Sequence, residues 1–461
     1  MISLTKVTLP KYVKPSCAPE LPISTYKKRL EDVAQALRDL TMDYLVIHAD
    51  REHSAHQEFL IGVGPRFEES ILIIGANGKR MLLLGNECMY IPPDPALDIE
   101  IEIFQDFSPP NQKREISRPI EAILRSSGIS AGQRIGTASW KTYSSHLVND
   151  VEHALDIPSF LADELRRIVG SSGDVLNANS IFIGTSNGLR LINDAHQIAQ
   201  FEYAAGLVSH SVFEALSHFA VGISERDAAS HFATEGQVQS CHPMMSFGEK
   251  ARRGLSSPSD NTAKLGDPFS MALGVAGALT ARAAMVAHSE KDLSADLQTF
   301  FPKFSQNYWL SIVTWYENIA IGAVGKDVVA AVEKVIDKSL YSLSLNPGHN
   351  LHIEEWVQSI FTPDGTDTVK SGMVMQADLI PVSAGPFCTG NVEDGIAVAD
   401  AQLRAEIHNL YPEMWDRMQK RRRFMHEVLG ITLDESVLPL SNSCGLYAPY
   451  ALTSDLVFSK K

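Results

Sequence analysis

The stretch GDPFSMALGVAGALTARAAMVAH, from Gly266 to His288, restricts the fold of this chain more than any other segment. A Gly-Asp turn precedes an apolar run, and a Gly-Ala bend separates that run from a second one. Apolar runs of this length between turn residues are typical of buried strands. The stretch therefore predicts two adjacent core strands. No acidic residue follows Asp267 within it, so neither strand offers a carboxylate to a metal ion.

The segments before this stretch alternate between helical and strand patterns. ISTYKKRLEDVAQALRDLTM has apolar residues at helical spacing, and DYLVIHA after it is typical of a short buried strand. SILIIGANGKRMLLLG predicts a hairpin that turns at Asn77 and Gly78, and RPIEAILRSSG and QRIGTAS predict a further helix and strand. This alternation predicts an α/β N-terminal domain, which we place at residues 1–175.

The pattern changes after VGSSGDVLNANS, where Gly, Ser and Asn cluster. AHQIAQFEYAAGLVSHSVFEALSHF predicts a long helix, and GISERDAASHFATEGQV predicts a second one with Ser224 as its N-cap. Strands separated by helices follow. We therefore predict an α+β domain over residues 176–430, with helices on one face of a curved, largely antiparallel sheet, and a C-terminal tail over 431–461.

Composition excludes several classes of partner. The chain has 461 residues and a formal charge of -15, which disfavours a nucleic-acid-binding protein. Its one dense basic cluster, Arg421 to Arg423, follows a helical pattern and is interpreted as a solvated face or an intersubunit ion pair. We find no signal-peptide or membrane-span pattern. The five cysteines form no CxxC pair, and we expect a cytoplasmic protein without a disulfide framework or zinc ribbon.

Several segments together resemble the creatinase, prolidase and aminopeptidase P superfamily. They occur in the order seen in that superfamily: FLIGVGPRFEESILII, AQFEYAAGLVSHSVFEAL with AVGISERDAA, KLGDPFSMALG, VKSGMVMQADLIP and NVEDGIAVAD. The resemblance implies a creatinase-like N-terminal domain followed by the pita-bread fold. It also implies a homodimer whose sites lie near the subunit boundary.

The resemblance also shows which ligands this chain lacks. Peptidases of the superfamily hold two divalent metals with two aspartates, a histidine and two glutamates. The strand of the first aspartate reads Ser270, Met271, Ala272, Leu273 here, and the residue expected to be the second falls among Leu279, Thr280 and Ala281 before Arg282. We therefore expect a metal-ligand-deficient member with no metal and no cofactor.

Creatinase residues are missing as well. The histidine with which creatinase works without metal corresponds to Leu255 or Ser256, and its glutamate corresponds to Ala281. The creatinase substrate is therefore not transferred to this chain.

Polar residues remain where the superfamily has its metal or substrate histidines. GHNLHIEEWVQSIF contains His349, His352, Glu354 and Glu355. If this stretch is a strand, His352 and Glu354 share one face and Glu355 points the other way. A surface histidine with solvated carboxylates is the alternative.

Two acidic positions complete the predicted site. Asp378 falls where the superfamily has its first catalytic glutamate, and Glu393 falls at the final carboxylate position, with Asp394 beside it. Both lie among apolar residues, where a carboxylate without a function is uncommon. A structural salt bridge to Arg282 is the alternative.

These residues predict a metal-independent hydrolase or lyase that acts on a C–N bond of a small amino-acid-like or guanidino substrate. His352 carries the proton, and Asp378, Glu393 and Glu354 orient it or hold a cationic group. Arg66 of the neighbouring subunit binds an anionic end. The further residues assigned to substrate binding are Glu355, Arg282 and Asp394.

Two other functions stay open at this point. One is an aminopeptidase P-like Xaa-Pro peptidase with a single residual metal at His352, Asp378 and Glu393. The other is a noncatalytic pseudo-peptidase that binds a ligand in a polar pocket.

Overall fold

A computed structural model describes residues 2–11, 13, 15 and 18–460 of the chain. Its strands are β1 (Ser3–Lys6), β2 (Tyr44–Ala49), β3 (Ser70–Gly75), β4 (Arg80–Leu84), β5 (Glu100–Ile103), β6 (Arg134–Ala138), β7 (Asp174–Asn177), β8 (Met244–Phe247), β9 (Pro268–Val275), β10 (Ala278–Met285), β11 (Tyr341–Leu343), β12 (His349–Asn350), β13 (Val374–Ala377), β14 (Pro381–Ser383), β15 (Asn391–Val398), β16 (Val437–Pro439) and β17 (Leu456–Ser459). Its α-helices are α1 (Ile23–Asp39), α2 (Ala55–Ile61), α3 (Ile120–Ser126), α4 (Ser159–Val169), α5 (Ser180–Ile183), α6 (Ala195–Ser217), α7 (Glu225–Ala229), α8 (Ala295–Asn318), α9 (Gly325–Val335), α10 (Ala401–Leu410) and α11 (Pro412–Phe424).

The chain divides into two compact units. The N-terminal unit is Leu21–Arg190, and the C-terminal unit runs from Leu191 onward and includes the N-terminal segment that ends at Glu20. Among the described helices, none is both long and apolar enough to cross a membrane.

The N-terminal unit contains a mixed sheet with the strand order β5-β4-β3-β2-β6-β7. Strands β2, β3 and β4 pair antiparallel, whereas β5, β6 and β7 join in parallel. The predicted hairpin turns between β3 and β4 at Asn77 and Gly78, where Gly78 has a φ of +89° that suits a residue without a Cβ. The predicted α/β architecture of this unit is confirmed.

The C-terminal unit contains an antiparallel sheet with the order β12-β13-β15-β10-β9-β8, and β16 pairs with the end of β15. Helix α6 packs against β9 and β10. Side chains of β9 alternate between faces: Met271 and Leu273 join the main apolar core, whereas Ala272 lies on the other face. The predicted α+β domain with a largely antiparallel sheet is confirmed.

The turn between β9 and β10 depends on a glycine. Gly277 has a φ of +91°, and a Cβ at this position would lie 2.4 Å from Cδ1 of Phe201 on α6. Both the backbone conformation and the close helix therefore require a residue without a side chain. The two strands predicted from the GDPFSMALGVAGALTARAAMVAH stretch form here as an antiparallel pair.

The unit boundaries differ from the predicted 1–175, 176–430 and 431–461. The N-terminal unit continues through α5 to Arg190, and β1 pairs with β17 at the far end of the chain. The predicted tail is part of the core of the C-terminal unit, because Trp309 donates to the carbonyl oxygen of Gly445 and stacks on Phe458. These contacts join segments that are distant in the sequence, and local sequence patterns do not predict them.

Two helix predictions also need correction. Ser224 caps α7 as predicted, but the helix ends at Ala229, well short of the predicted segment. Arg421 is buried and forms an ion pair with Glu202 of α6 at 2.6 Å, so its interpretation as part of a solvated face or an intersubunit pair is wrong. We assigned Arg421 to the surface because its neighbours in the sequence are charged.

Candidate functional site

A buried cluster of one histidine and two carboxylates lies on adjacent strands of the C-terminal unit. His349 is on β12, Asp378 directly follows β13 and Glu393 is on β15. Because β13 pairs with both β12 and β15, these three side chains converge. One potential ligand atom from each residue lies within 4.8 Å of the others. We call these three residues the His349 cluster.

The ring of His349 has a defined orientation. It stacks on Trp356 with ring centroids 4.1 Å apart, and its Nδ1 donates to the carbonyl oxygen of Asn350 at 3.3 Å. Its Nε2 faces three carboxylates: Glu355 Oε1 at 3.3 Å, Glu393 Oε1 at 3.6 Å and Asp378 Oδ2 at 3.9 Å. In the described part of the chain, neither this Nε2 nor Asp378 Oδ1 has a partner with hydrogen-bond geometry. The cluster therefore has unused ligand atoms directed at one point.

Burial and mutual repulsion dominate the electrostatics of the cluster. Burial raises the pKa of Asp378 well above its ordinary range, and the charge of Glu393 raises it further. Burial likewise raises the pKa of Glu393, with Glu355 as the next contributor. Burial opposes a charge on His349, but Glu355 and Asp378 outweigh it and raise the pKa of the imidazole. Burial and mutual repulsion therefore oppose full ionisation of these carboxylates, and a neighbouring cation would favour it.

Glu355 differs from the other two carboxylates. Its side chain is 28% exposed, and although burial opposes its ionisation, the neighbouring His349 lowers its pKa. Glu355 is therefore the carboxylate of this site that most readily carries a charge.

Gln376 positions Glu393. Its Nε2 donates to Glu393 Oε1 and to the carbonyl oxygen of Leu279, both at 3.0 Å. This role was not predicted from the sequence. The available signal was a single amide in the otherwise apolar strand segment VMQA.

An apolar row continues the sheet beside Glu393. Across β8, β9, β10 and β15, the paired residues are Met244, Ala272, Ala281 and Glu393. Ala281 thus lies beside Glu393 and Ala272 one strand further on, on the strands where the resemblance led us to expect aspartates. Their methyl groups provide no ligand atom for a second ion on this side of the cluster.

A cavity of about 710 Å³ opens onto the cluster. Asp378, Glu393 and Glu355 line it together with Trp356 and the apolar row. A second groove of similar volume runs along α8, and none of the cluster residues lines it. The cavity next to the sheet is therefore the candidate substrate-binding cavity.

The structure brings together only part of the predicted site. Asp378, Glu393 and Glu355 converge, but with His349 and not with His352. The expected strand across His352 and Glu354 is absent, because β12 ends at Asn350 and the segment turns there. His352 is buried edge-on against Phe201 of α6, with ring centroids 5.2 Å apart.

Arg282 and Asp394 lie on the opposite face of the sheet from the cavity. They form a buried ion pair at 2.6 Å, and Asp394 also accepts hydrogen bonds from Ser441 and Ser443. Their prediction as substrate-binding residues does not fit this placement, since successive strand residues point to opposite faces. Because they are consecutive on β15, Glu393 faces the cavity and Asp394 faces the other side of the sheet. The salt bridge considered for Arg282 is made with Asp394.

Arg66 is exposed on the loop before β3 of the N-terminal unit. Its proposed contact with a substrate in a partner subunit stays a prediction.

Comparison with known proteins identifies the fold. No protein-family model matches the sequence, and no curated protein sequence matches it. Solved structures do match. The prolidase from Pyrococcus horikoshii OT3 has a TM-score of 0.62 at 12% identity, with 81% of this chain and 95% of that chain covered. The Xaa-Pro dipeptidase from Bacillus anthracis has a TM-score of 0.61 at 13% identity, with 82% and 96% covered. Pseudomonas aeruginosa aminopeptidase PepP has a TM-score of 0.56 at 15% identity, with 86% and 99% covered. The chain has the two-domain pita-bread fold of these proteins.

Proposed function

We propose that this protein hydrolyses an amide-type C–N bond in small peptide-like molecules, and that it does so with one divalent cation bound by His349, Asp378 and Glu393. The observation that supports this proposal is the buried His349 cluster at the base of the cavity. The similar structures include an Xaa-Pro dipeptidase and an aminopeptidase, which supports an amide substrate. The proposal replaces the metal-independent reaction of His352 expected from the sequence.

The chemistry of the three donors fits a divalent cation. Imidazole nitrogen and carboxylate oxygen are both donor types that bind divalent ions such as zinc, manganese and iron. His349 donates through Nδ1 to a backbone carbonyl, which leaves Nε2 as the nitrogen for a metal. A cation would also offset the burial and the mutual repulsion that raise the pKa of both carboxylates. Since Ala272 and Ala281 offer no oxygen, we propose one ion per chain.

The surrounding residues have separate tasks in this proposal. A bound cation supplies Lewis-acid chemistry, because it lowers the pKa of water and polarises a carbonyl. Glu355, at the wall of the cavity, accepts a proton from the water that attacks the carbonyl carbon and passes it to the amine nitrogen that leaves as the C–N bond breaks. Trp356 and Gln376 hold His349 and Glu393 in place. Met244, Ala272 and Ala281 provide an apolar wall against which the substrate packs.

Titration of the chelator-treated protein with Mn²⁺ or Zn²⁺ tests this proposal. We expect calorimetry to give one ion per chain. We expect His349→Ala and Asp378→Asn to weaken binding by more than the roughly ten- to hundredfold typical of an outer-shell change. His352→Ala is the matched control and should keep both the stoichiometry and the affinity. Turnover of a dipeptide panel should require the ion and should depend on the same residues.

Other outcomes identify the competing functions. Full turnover of a panel substrate after chelation, lost in His352→Ala, would establish the metal-independent mechanism instead. Tight binding of one ion and of dipeptides with no cleavage would indicate a noncatalytic binding protein.

A further inference from the structure

The cavity that opens onto the His349 cluster has charges of both signs on its walls. The carboxylates of Asp378, Glu393 and Glu355 come from the segments around β12 to β15. In the described part of the chain, the cationic lining residues are Arg252 and Arg253, which follow β8. The remaining lining residues are uncharged, so the charges come from two separate segments of the chain.

The two arginines differ in how far their charges are already used. The guanidinium of Arg252 lies 3.7 Å above the ring of Phe387, and its Nε is 2.5 Å from Glu249 Oε1. The side chain of Arg253 makes no ion pair or hydrogen bond with the residues that the structure describes. Arg253 is therefore the arginine whose charge and planar donor fork are available to a ligand.

The strand register gives the approximate spacing between the backbone of the arginine segment and β15. A Cβ on Gly254 would lie 3.9 Å from Ser270 Oγ, which places the arginine segment beside β9. Ser270 pairs with Ala283, which pairs with Asn391, so this row is two strands wide up to β15. Two strand spacings are roughly 10 Å. A molecule of two or three residues spans that length.

Asn391 adds a polar group between these ends. It lines the cavity next to the row that contains Glu393, and its Oδ1 is buried without a hydrogen-bond partner among the described residues. A carbonyl oxygen in this position can accept a hydrogen bond from a ligand N–H group. Asn391 thus provides an acceptor where the middle of such a molecule would lie.

We infer that Arg253 selects substrates with an anionic group, a carboxylate or a phosphate, at the end remote from the His349 cluster. Arg252, held by Phe387 and Glu249, is a positioning residue for this segment. The inference rests on the proposed function for the bond that is cut at the other end. The binding of the anionic group by Arg253 does not depend on a metal.

Binding measurements on the full-length, chelator-treated protein test this inference without turnover. The probes are glycyl-leucine, its uncharged carboxamide and inorganic phosphate. We expect glycyl-leucine to bind roughly ten- to hundredfold more tightly than the carboxamide, because a charged hydrogen bond is lost with the charge. In Arg253→Ala this preference should fall to about onefold, and Arg253→Lys should restore part of it.

Arg226→Ala is the matched control, because Arg226 is exposed, pairs with Asp260 and does not line the cavity. It should keep the full preference. Phosphate that displaces glycyl-leucine in the wild type but not in Arg253→Ala would assign phosphate to the same site.

Equal binding of acid and carboxamide by the wild type, or an unchanged preference in Arg253→Ala, would overturn the inference. A preference that is lost in Arg253→Ala, together with no hydrolysis of any dipeptide after metal is added, would leave this inference standing and remove the proposed function.

Discussion

At the scale of single residues, the site depends on two side chains that carry no charge. Trp356 stacks on the ring of His349, and Gln376 donates to Glu393. Trp356 restrains the plane of the imidazole, and Gln376 restrains Oε1, the carboxylate oxygen that faces His349. Preorganisation of this kind normally sets how tightly a metal is held.

Replacing Gln376 by methionine tests this role. Gln376→Met keeps the volume but removes the donor to Glu393 Oε1 and to the carbonyl of Leu279. We expect Mn²⁺ affinity to fall about ten- to hundredfold. We also expect the free energy of unfolding to fall by about 1–3 kcal/mol, since a buried carbonyl oxygen loses its partner. Calorimetry and urea unfolding measure the two effects.

Gln298→Met is the control for this experiment. Gln298 also donates to two backbone carbonyls, those of Lys291 and Leu293, but it lies outside the cavity. Its replacement should leave Mn²⁺ affinity unchanged. Equal affinities for wild type and Gln376→Met would show that Glu393 needs no positioning.

The sequence pattern predicted Asp378 and Glu393 as site residues and grouped them with His352. In the structure, His349 lies beside these two carboxylates instead. Asp378 and Glu393 could be predicted because each lies in a recognisable apolar strand pattern. His349 and His352 are three positions apart, and only the end of β12 at Asn350 decides which one faces the carboxylates. That end depends on pairing with β13, a contact with no local signature.

At the scale of elements, the two faces of one sheet carry different chemistry on neighbouring residues. Ala281 and Glu393 face the cavity, whereas Arg282 and Asp394 form a buried ion pair on the side of α6. The alternation follows from the strand period of two. A motif such as Glu393-Asp394 therefore supplies one site residue and one structural residue.

The same register predicts how a second metal site can be built. Ala272 pairs with Ala281, and Ala281 pairs with Glu393, so carboxylates at the two alanines would lie beside the cluster. We expect the Ala272→Asp and Ala281→Asp double variant to bind two Mn²⁺ ions per chain where the wild type binds one. Calorimetry gives the stoichiometry. Added Mn²⁺ should raise the Tm of the double variant more than that of the wild type.

Ala283→Asp is the matched control, because Ala283 also lines the cavity but pairs with Asn391 in the next row. It should leave the stoichiometry at one. A folded double variant that still binds a single ion would show that the alanine row does not limit the number of ions.

Element types were predictable from local patterns, whereas their assembly was not. The periodicity of α1 and α6 and the Asn77-Gly78 turn are local, and the structure has each of them. The pairing of β1 with β17 joins opposite ends of the chain. For that reason the last strands were taken for a tail.

At the scale of the whole molecule, each unit contains a buried group whose pKa is lowered by folding, and these two groups respond to acid in different pH ranges. In the C-terminal unit, burial disfavours ionised Glu202, but Arg421 and Arg417 outweigh it and lower the pKa of the carboxyl. In the N-terminal unit, burial lowers the pKa of His56 well below its ordinary value of 6.5, and the charge of Arg190 adds to this. The two units should therefore lose stability at different stages of acidification.

His56 is held as a neutral ring. Its Nδ1 accepts from Arg190 Nη1 at 3.0 Å, and its Nε2 donates to Asn179 Oδ1 at 3.1 Å. The amide of Asn179 is fixed in turn by its donation to Asp156. A second proton on His56 would face the guanidinium, so protonation opposes folding.

We predict that the N-terminal unit becomes less stable as the pH falls below about 6.5, before the C-terminal unit does. Between the ordinary pKa of histidine and the lower folded pKa of His56, the unfolded chain binds the extra proton, so stability is lost at up to about 1.4 kcal/mol per pH unit. Glu202 also has a folded pKa below its ordinary value, but that value is 4.5, so its contribution to stability is lost only below about pH 4.5. Hydrogen exchange of peptides from β6 and β10, corrected for intrinsic rates, follows the two units separately.

His56→Gln and His153→Gln separate this effect from other titrations of the N-terminal unit. His56→Gln should lower stability at pH 7.5 but remove the loss between pH 6.5 and 5, because no group is left there to take up the proton. Asp150 and Asp174 raise the pKa of the exposed His153, so its pairing is stronger below that pKa and weakens as the pH rises through it. His153→Gln should therefore steepen the acid-induced loss. If wild type and His56→Gln lose protection at β6 in parallel between pH 6.5 and 5, His56 does not govern the acid sensitivity of this unit.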